Sequence, residues 1–178
     1  TRDIATCIYA GLTTDTGCFR FTGPTAKTHD PAARLHECGI AHDEIARAVF
    51  DTASFEAVKL LGIAIDRAVL LTDAVGGNGL VWTALTRSDR EALGLPLDAA
   101  DPIIDTLRTT AEAEVAVVLK EGDDGVWRAS TRSKGLVDLG EVCSSLGGGG
   151  HRFAAGFSST LRPEQIIDEI RIAIDASL

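Results

Sequence analysis

The first third of the chain carries apolar residues at the three-to-four-residue spacing of helices, and it predicts helices joined by short polar turns. Asp30 followed by Pro31 indicates a helix start, because proline is favoured at the first helical position. Ser54 has a side chain that can cap a longer helix. The apolar face of that longer helix carries Phe55, Val58, Leu61, Ile65 and Ala68. The predicted helices cover residues 3–12, with a polar turn at 13–17, then 31–37, 42–50 and 55–68.

Beyond residue 68 the pattern changes to short runs rich in β-branched and aromatic residues, which predict strands. Two hairpins are expected, one with a turn at 76–79 and one with a turn at 122–125. Asp138, followed three residues later by a glutamate, predicts a capped helix that ends near Ser145. Two more helices are predicted, one from Asp101-Pro102 and one near Pro163 with buried Ile166, Ile167, Ile170 and Ile174.

The amino-acid composition indicates a globular protein. The 178 residues are 45% apolar, and 17 Lys or Arg against 26 Asp or Glu give a net charge of −9. That apolar fraction excludes a disordered chain. The acidic balance argues against binding along duplex DNA, which needs faces rich in lysine and arginine, and it leaves short anionic ligands as candidates.

The cysteines and the chain start give expectations about the compartment. The four cysteines lie far apart without a CxxC pair, which argues against a zinc ribbon and favours buried thiols in a reducing cytoplasm. No apolar run approaches the roughly 18 residues of a membrane span, and residues 1–10 do not resemble a secretory signal. The chain contains no methionine and starts in the middle of a helical pattern, so we expect a fragment or a processed product.

Four consecutive glycines, Gly147–Gly150, precede His151 and a small-residue segment at 154–156. Such a run indicates backbone that approaches another group closely or adopts positive φ. Its N–H groups can bond anionic oxygens, and a helix starting near Arg152 would add its positive N-terminal end. We therefore predict a phosphate cradle to which His151 contributes a donor. The alternatives are a flexible linker for the glycines and a solvated or core imidazole for His151.

A local excess of positive charge precedes the glycines, since residues 128–152 hold four Lys or Arg and two Asp or Glu. If the strand that ends at Arg132 runs beside the glycines, Arg132 can pair with phosphate as a fork and Lys134 as a point charge. The alternative is a solvated edge strand whose charges prevent aggregation.

Asp15 lies in a Thr-Thr-Asp-Thr-Gly segment just after the first predicted helix. A carboxylate in such a turn can serve as a ligand for a hard divalent cation. A single carboxylate does not make a site, and the alternative is a turn residue bonded to nearby backbone N–H groups. The histidines elsewhere are predicted to be surface residues: His29, His36 and His42.

The chain contains, in this order, GLTTDTGCFRFT, a predicted helix between two lobes, and STRSKG followed by LGGGGHRFAAG. Together these segments resemble the C-terminal half of DHH-family phosphoesterases. The subfamily of bifunctional oligoribonucleases (nanoRNases) and pAp phosphatases is the most similar. The resemblance implies an α/β protein with three parts. Residues 1–50 would be the helical tail of the DHH catalytic domain, 51–68 a linker helix, and 69–178 a mixed-sheet, substrate-binding DHH-associated domain.

The resemblance also implies a reaction. Members of the family hydrolyse phosphoesters with a pair of Mn²⁺ ions, for which Mg²⁺ is an alternative, and the associated domain holds the nucleotide. The expected substrates are short RNA oligonucleotides, linear dinucleotides such as pApA, and pAp, with no duplex DNA, no membrane, and a homodimer as a possible assembly. Asp15 corresponds to a catalytic metal ligand and His151 to a catalytic, substrate-binding residue. Further substrate-binding positions are Arg132, Ser133, Lys134, Gly148, Gly149 and Gly150.

The chain departs from the family pattern at several points. The Asp-His-His triplet and the earlier metal motifs are absent and are expected N-terminal to Thr1. Phe153 stands where many relatives have a polar residue, commonly asparagine. We therefore expect the chain by itself to bind nucleotide without turning it over.

Other functions stay open at this point. One is a non-catalytic nucleic-acid-binding module of the kind appended to alanyl-tRNA synthetases. Others within the enzyme class are a RecJ-type exonuclease, an exopolyphosphatase-like enzyme and a cyclic-dinucleotide phosphodiesterase. The last is an α/β interaction domain whose glycines are structural only.

Overall fold

The computed structural model describes residues 1–21 and 25–178, which form two compact units, Thr1–Ala53 and Ser54–Leu178. The first unit is helical, with α1 (Arg2–Asp15), α2 (Ala26–Glu37) and α3 (His42–Phe50). Its small core consists of Ala5, Tyr9, Ala32, Ile40 and Ile45. Thr22, the last residue of the GLTTDTGCFRFT segment, lies outside the described residues.

Two helix boundaries in the first unit differ from the prediction. Helix α1 continues through Asp15, so the predicted turn at 13–17 begins later. The hydroxyls of Thr13 and Thr14 bond to carbonyls one turn earlier, which makes both residues compatible with a helix. Helix α2 begins at Ala26, so Pro31 lies inside it and not at its first position. The Thr25 N–H donates to the Thr28 hydroxyl at 3.2 Å, and this local cap moves the start upstream.

The second unit is built on one six-stranded sheet, as expected for a mixed α/β fold. Its strand order is β1-β2-β3-β4-β6-β5, in which β2 and β3 are parallel and every other neighbouring pair is antiparallel. The predicted antiparallel pairing on either side of residues 76–79 and 122–125 is confirmed, but the first connection contains a short helix at Ala74–Gly77 where a turn at 76–79 was expected. The strands are β1 (Val69–Leu71), β2 (Leu80–Leu85), β3 (Val115–Glu121), β4 (Trp127–Ser133), β5 (Gly149–His151) and β6 (Ala154–Ser159).

Helices cover both faces of the sheet around β3. They are α4 (Phe55–Asp66), α5 (Ala74–Gly77), α6 (Arg87–Glu91), a 3-10 turn (Leu97–Ala100), α7 (Ile103–Leu107), α8 (Leu139–Ser145) and α9 (Pro163–Asp175). The predicted cap at Asp138 is confirmed, and so are the four buried isoleucines of α9. None of the helices in the described part of the chain is long and apolar enough to cross a bilayer.

Alternate residues of β3 face two different cores. Val115, Val117 and Leu119 pack in one core with α8 and α9. Ala116 and Val118 pack in the other core with α4 and α7. A strand buried on both faces explains the unbroken apolar run at this point of the sequence.

The second core stops at β3. None of its buried residues comes from β4, β5 or β6 within the described ranges. Ser130 and Arg132 of β4 and Ala154 of β6 are accordingly only half-buried on this side, while Thr131 and Ala155 point into the first core. We call the half-buried side of β4, β6 and β5 the open face.

Helix α4 packs on the sheet through a different side from the predicted apolar one. The predicted cap is present, since the Ser54 hydroxyl accepts from the Ala57 N–H at 3.1 Å. Leu60 and Ala64 are fully buried, whereas Phe55 is 67% exposed. The Ala64 carbonyl accepts a hydrogen bond of 2.7 Å from the Thr83 hydroxyl of β2, and this contact sets which side of the helix faces the sheet.

The glycine run is neither a linker nor the entry to a helix. Gly147 has φ +83° and ends α8 in a Schellman motif, in which the Gly148 N–H donates to the Cys143 carbonyl at 2.8 Å. The prediction of a helix near Arg152 is wrong. His151, the last residue of β5, pairs with Ala154, the first residue of β6, across a two-residue turn. The other end of α8 also meets this turn, where the Leu139 N–H donates to the Arg152 carbonyl at 2.7 Å.

Steric contacts explain two of the four glycines of the run, Gly148 and Gly150. A Cβ atom at Gly148 would lie 2.2 Å from the Gly156 carbonyl oxygen, and one at Gly150 would lie 2.6 Å from the Ala155 Cα. A Cβ at Gly149 would meet nothing closer than the Ser144 hydroxyl oxygen at 3.8 Å. A Cβ at Gly147 would also meet nothing within 4 Å, but Gly147 has a positive φ, so Gly149 is the member of the run for which neither a close contact nor a positive φ requires glycine.

Asp89 connects α4 to the start of α6. Its carboxylate accepts two bonds from the Arg67 guanidinium, at 2.6 and 2.9 Å, and two bonds from the N–H and hydroxyl of Thr86. These bonds, the one from Arg67 first, lower the pKa of Asp89 from 3.8 to about 2, against the opposing effect of burial.

We predict that Asp89→Asn destabilises the second unit by about 1–2 kcal/mol at pH 7, because one pKa unit corresponds to about 1.4 kcal/mol and Arg67 is partly exposed to solvent. Folding lowers this pKa, so the stabilisation is complete above the ordinary carboxyl range and is lost as the pH falls through about 2. Urea unfolding of the parent and the variant at pH 7 and near pH 2 measures the difference. Asp73→Asn, which removes the exposed 3.5 Å contact to Arg171, is the control and should change little.

We predict that Gly148→Ala and Gly150→Ala each lower the melting temperature of the chain, because the new methyl group collides with the backbone of β6. Gly149→Ala should leave the melting temperature within a few degrees of the parent. Thermal unfolding followed by circular dichroism compares the three variants. Equal losses for all three would contradict the steric explanation.

Candidate functional site

The sheet register brings Arg132 and His151 to one row of the open face. Ala154 of β6 pairs with Arg132 of β4 on one side and with His151 of β5 on the other. Cross-strand partners project from the same face, so the guanidinium and the imidazole flank a small alanine, with backbones about 10 Å apart. The row therefore presents two hydrogen-bond donors with space between them.

Arg132 is a partly buried cation with no carboxylate partner among the described residues. Its Nη1 donates to the Thr131 carbonyl at 3.0 Å. Burial lowers the pKa of Arg132, the charge of Arg108 acts in the same direction, and Asp105 and Asp101 act against it. Within residues 1–21 and 25–178 no carboxylate lies within 4.0 Å of its guanidinium.

The basic residues next to Arg132 in the sheet, in contrast, form ion pairs with carboxylates. Lys120 of β3 pairs with Asp101, and Arg128 of β4 pairs with Asp124 at 3.0 Å. Because a desolvated charge is costly when it has no counter-ion, an anion at the open face would gain most from contact with Arg132.

Ser133 and Lys134 are not part of this row. Ser133 follows Arg132 and points to the opposite face, where it is buried and its hydroxyl donates to Glu114 Oε1 at 2.8 Å. Lys134 is exposed beyond the strand, and its ammonium donates to the carbonyls of Thr110 and Ala111. Their predicted substrate contacts stay untested, but in this arrangement their polar groups already have partners.

The glycines and His151 lie at the edge of the sheet. β5 pairs with β6 on one side, and no further strand pairs with it in the part of the chain that the structure describes. Gly149 pairs with Gly156, which in turn pairs with Ser130, so the row next to Arg132 contains only small residues. His151 is exposed, and none of the ring contacts found among residues 1–21 and 25–178, which engage the histidines of the first unit, involves it.

Ser130 belongs to this face and did not stand out in the sequence. The signal that could have found it is the two-residue period of a strand, since Ser130 precedes Arg132 by two positions. Glu114, whose carboxylate binds Ser133, also went unnoticed. It lies directly before β3 in sequence and far along the chain from its partners.

Asp15 lies in the other unit, at the last position of α1, and is exposed. The backbone after it is unusual, because Gly17, Cys18 and Phe19 all have positive φ, between 55° and 61°. The turn is held by the Cys18 N–H, which donates to the Thr13 carbonyl at 2.8 Å. Non-glycine residues in this conformation are strained, and such strain concentrates at functional sites.

The described side chains do not by themselves offer a divalent cation a set of ligands. Within the described ranges, no group of three or more His, Cys, Asp or Glu side chains is placed to hold an ion. Asp15 alone supplies one carboxylate, while a divalent cation in a protein needs several oxygen or nitrogen ligands. These residues do not by themselves form a metal centre.

Comparison with known proteins extends these observations. Residues 91–178 match the model of the DHHA1 domain. The chain is 34% identical over 157 residues to the bifunctional oligoribonuclease and PAP phosphatase NrnA of Thermus thermophilus, covering 88% of this chain and 45% of that protein. The chain is also 32% identical over 154 residues to the protein of the same name from Bacillus subtilis, and the match covers 86% of this chain and 47% of that protein. The chain thus spans slightly less than half the length of these relatives.

A solved structure shows the same fold. The exopolyphosphatase-related protein from Bacteroides fragilis superposes with a TM-score of 0.87 over 99% of this chain and 51% of its own, at 21% identity. At this identity the likeness concerns the fold alone. The family model and the similarity to the NrnA proteins support one assignment, in which the chain belongs to the DHH family and carries a DHHA1 domain in residues 91–178.

Proposed function

We propose that this chain is part of a metal-dependent phosphoesterase that acts on short oligoribonucleotides or linear dinucleotides such as pApA and releases mononucleotides. The same enzyme would remove the 3′-phosphate of pAp. In this proposal the second unit holds the nucleotide, with a phosphate group bound between Arg132 and His151. The names of the NrnA relatives, which span about twice the length of this chain, support the substrate class.

The observation that carries the proposal is the unpaired guanidinium of Arg132 on the open face. A phosphate oxygen pair matches the fork of an arginine, and the contact is strongest where solvent is partly excluded. The imidazole of His151 would donate a second hydrogen bond from the far side of Ala154. Small residues in the neighbouring row leave room for the sugar and base.

The charge of the chain is consistent with short ligands. A net charge of −9 disfavours long polyanions, whose binding depends on many phosphate contacts. One half-buried arginine, one histidine and exposed backbone suit a ligand with one or two phosphates. Duplex DNA is therefore not expected as a partner.

The metal requirement is a separate part of the proposal. When bound, a pair of Mn²⁺ ions, or Mg²⁺ in their place, would activate water and polarise the phosphoryl group. Asp15 would provide one ligand, and the remaining ligands would have to come from outside the described residues. The contribution of this chain is then to bind and orient the nucleotide.

Other members of the phosphoesterase class remain as alternatives, and so does a binding module without catalysis. An exopolyphosphatase-like, cyclic-dinucleotide-cleaving or RecJ-type enzyme would prefer polyphosphate, cyclic di-AMP or long single-stranded DNA. Competition of these compounds with pAp for binding to the chain distinguishes them from the oligoribonuclease proposal.

The proposal also includes a homodimer as an assembly of the protein. Analytical ultracentrifugation measures whether the chain forms one.

We predict that Arg132→Ala and His151→Ala each weaken binding of pApA by about ten- to a hundredfold, the value of one hydrogen bond to a charged group. Isothermal titration calorimetry of the 178-residue chain measures the affinities. Arg162→Ala removes an exposed positive charge at the start of α9 and serves as the control for general electrostatics. Equal weakening by the control would mean that the open face does not bind the phosphate.

We also predict that the chain alone binds pAp but does not hydrolyse it in the presence of Mn²⁺, because its described residues do not assemble a metal centre. Chromatographic detection of AMP over time, at several Mn²⁺ concentrations, tests this. Reproducible release of AMP that is lost in Asp15→Asn would contradict the prediction and would assign catalysis to this chain.

A further inference from the structure

Glu114 binds the segment that follows Arg132. One oxygen of its carboxylate, Oε1, accepts hydrogen bonds from the Ser133 hydroxyl at 2.8 Å, the Gly135 N–H at 2.9 Å and the Leu136 N–H at 2.7 Å. Bonds to an ionised acceptor are stronger than neutral ones, so three converging donors fix this segment firmly. We call residues 133–136 the Glu114-bound loop.

The main chain strengthens this attachment. The Lys134 N–H donates to the Glu114 carbonyl at 3.0 Å, and the Lys134 ammonium donates to the Thr110 carbonyl. The Glu114 N–H is in turn bound by the Asn78 carbonyl at 2.9 Å. Glu114 therefore joins the loop to a part of the sheet that lies outside the Arg132 row.

The Glu114-bound loop contacts both sides of that row. It continues β4 directly after Arg132. The Ser133 N–H donates to the Phe153 carbonyl at 3.1 Å, in the turn two residues after His151. A displacement of the loop would thus move the strand end that carries Arg132 and the turn next to His151.

An effect of Glu114 on Arg132 would act through the position of the strand and not through charge. The charges that bear on the pKa of Arg132 belong to Asp105, Arg108 and Asp101, and Glu114 is not among them. Its carboxylate is turned toward the loop, where three donors already bind it. It can therefore hold the strand end without neutralising the cation.

We propose that Glu114 is a positioning residue for phosphate binding, which sets the distance between Arg132 and His151 by fixing residues 133–136. This inference rests on the proposed function, because it assigns Glu114 a role in the same site. The groups that contact phosphate remain Arg132 and His151, and Glu114 acts through them.

The test is a double-mutant cycle on the affinity for pAp, measured by calorimetry on the full chain. Glu114→Ala should weaken binding about tenfold when Arg132 is present and less than about twofold in an Arg132→Ala background, since coupled sites are not additive. Glu114→Gln keeps an acceptor oxygen and should bind within about threefold of the parent. Glu112→Ala removes an exposed carboxylate from the same segment and is the matched control.

Stability is followed in parallel by thermal unfolding. If Glu114→Ala does not fold, Ser133→Ala replaces it, because it removes one of the three donors to Glu114 and leaves the backbone bonds. That variant should show the same dependence on Arg132 with a smaller effect. Faster amide exchange at Gly135 and Leu136 in the variant would show that the loop has loosened.

Two results would overturn the inference while leaving the proposed function intact. One is an unchanged affinity in Glu114→Ala, and the other is an equal loss with and without Arg132, which would indicate general destabilisation. Absence of pAp binding by the parent chain would refute the proposed function itself, and the role of Glu114 with it. Weakening by Arg132→Ala in the same titrations separates these cases.

Discussion

The contact between β5 and β6 leaves no room for a Cβ atom at Gly148 or Gly150, and the candidate site depends on this close approach. It places His151 opposite Ala154 and thereby in the row of Arg132. The short edge strand β5 also ends the sheet, and none of the buried residues of the second core comes from β4, β5 or β6 among the described residues, so the row is only partly covered. The glycines thus act mainly through packing, and the chemistry belongs to the side chains that the packing arranges. Gly149 differs from its neighbours in the run, because neither a close contact nor a positive φ requires glycine there.

Elements with local signals could be predicted from the sequence. The cap at Asp138, the isoleucines of α9 and the turn between β3 and β4 each lie within a few residues of the structure they specify. The strand at 154–159 could not, because its alanines and glycine are compatible with a helix, and pairing with β4, far away in sequence, decides the outcome. The start of α2 was also not predicted. The hydrogen bond from the Thr25 N–H to the Thr28 hydroxyl caps the helix upstream of Pro31, where the proline had indicated the first turn.

In the candidate site, too, local sequence signals identified some residues, whereas contacts between distant parts of the chain could not be predicted. Arg132 and His151 could be proposed from local charge and from the resemblance of the motifs, but only the register shows that they share a face. Ser133 was grouped with Arg132 because it is adjacent in sequence, and strand alternation separates the two. Glu114 gave no signal, because its three partners are 19 to 22 residues away and lie in a loop. For Asp15 the positive-φ turn that follows was equally invisible in the residue types.

Helix α8 is anchored at both ends in the strand pair on which it packs. Its first N–H binds the Arg152 carbonyl, and its Schellman motif leads directly into β5. Opening the β5–β6 hairpin would therefore remove the partner of the first helical N–H and release the segment that follows the Schellman motif, so residues 138–159 should open as one cooperative unit. The packing of this unit, which needs no ligand contact, would then hold His151 in its row. A nucleotide would meet a preorganised surface, and little ordering entropy would be lost on binding.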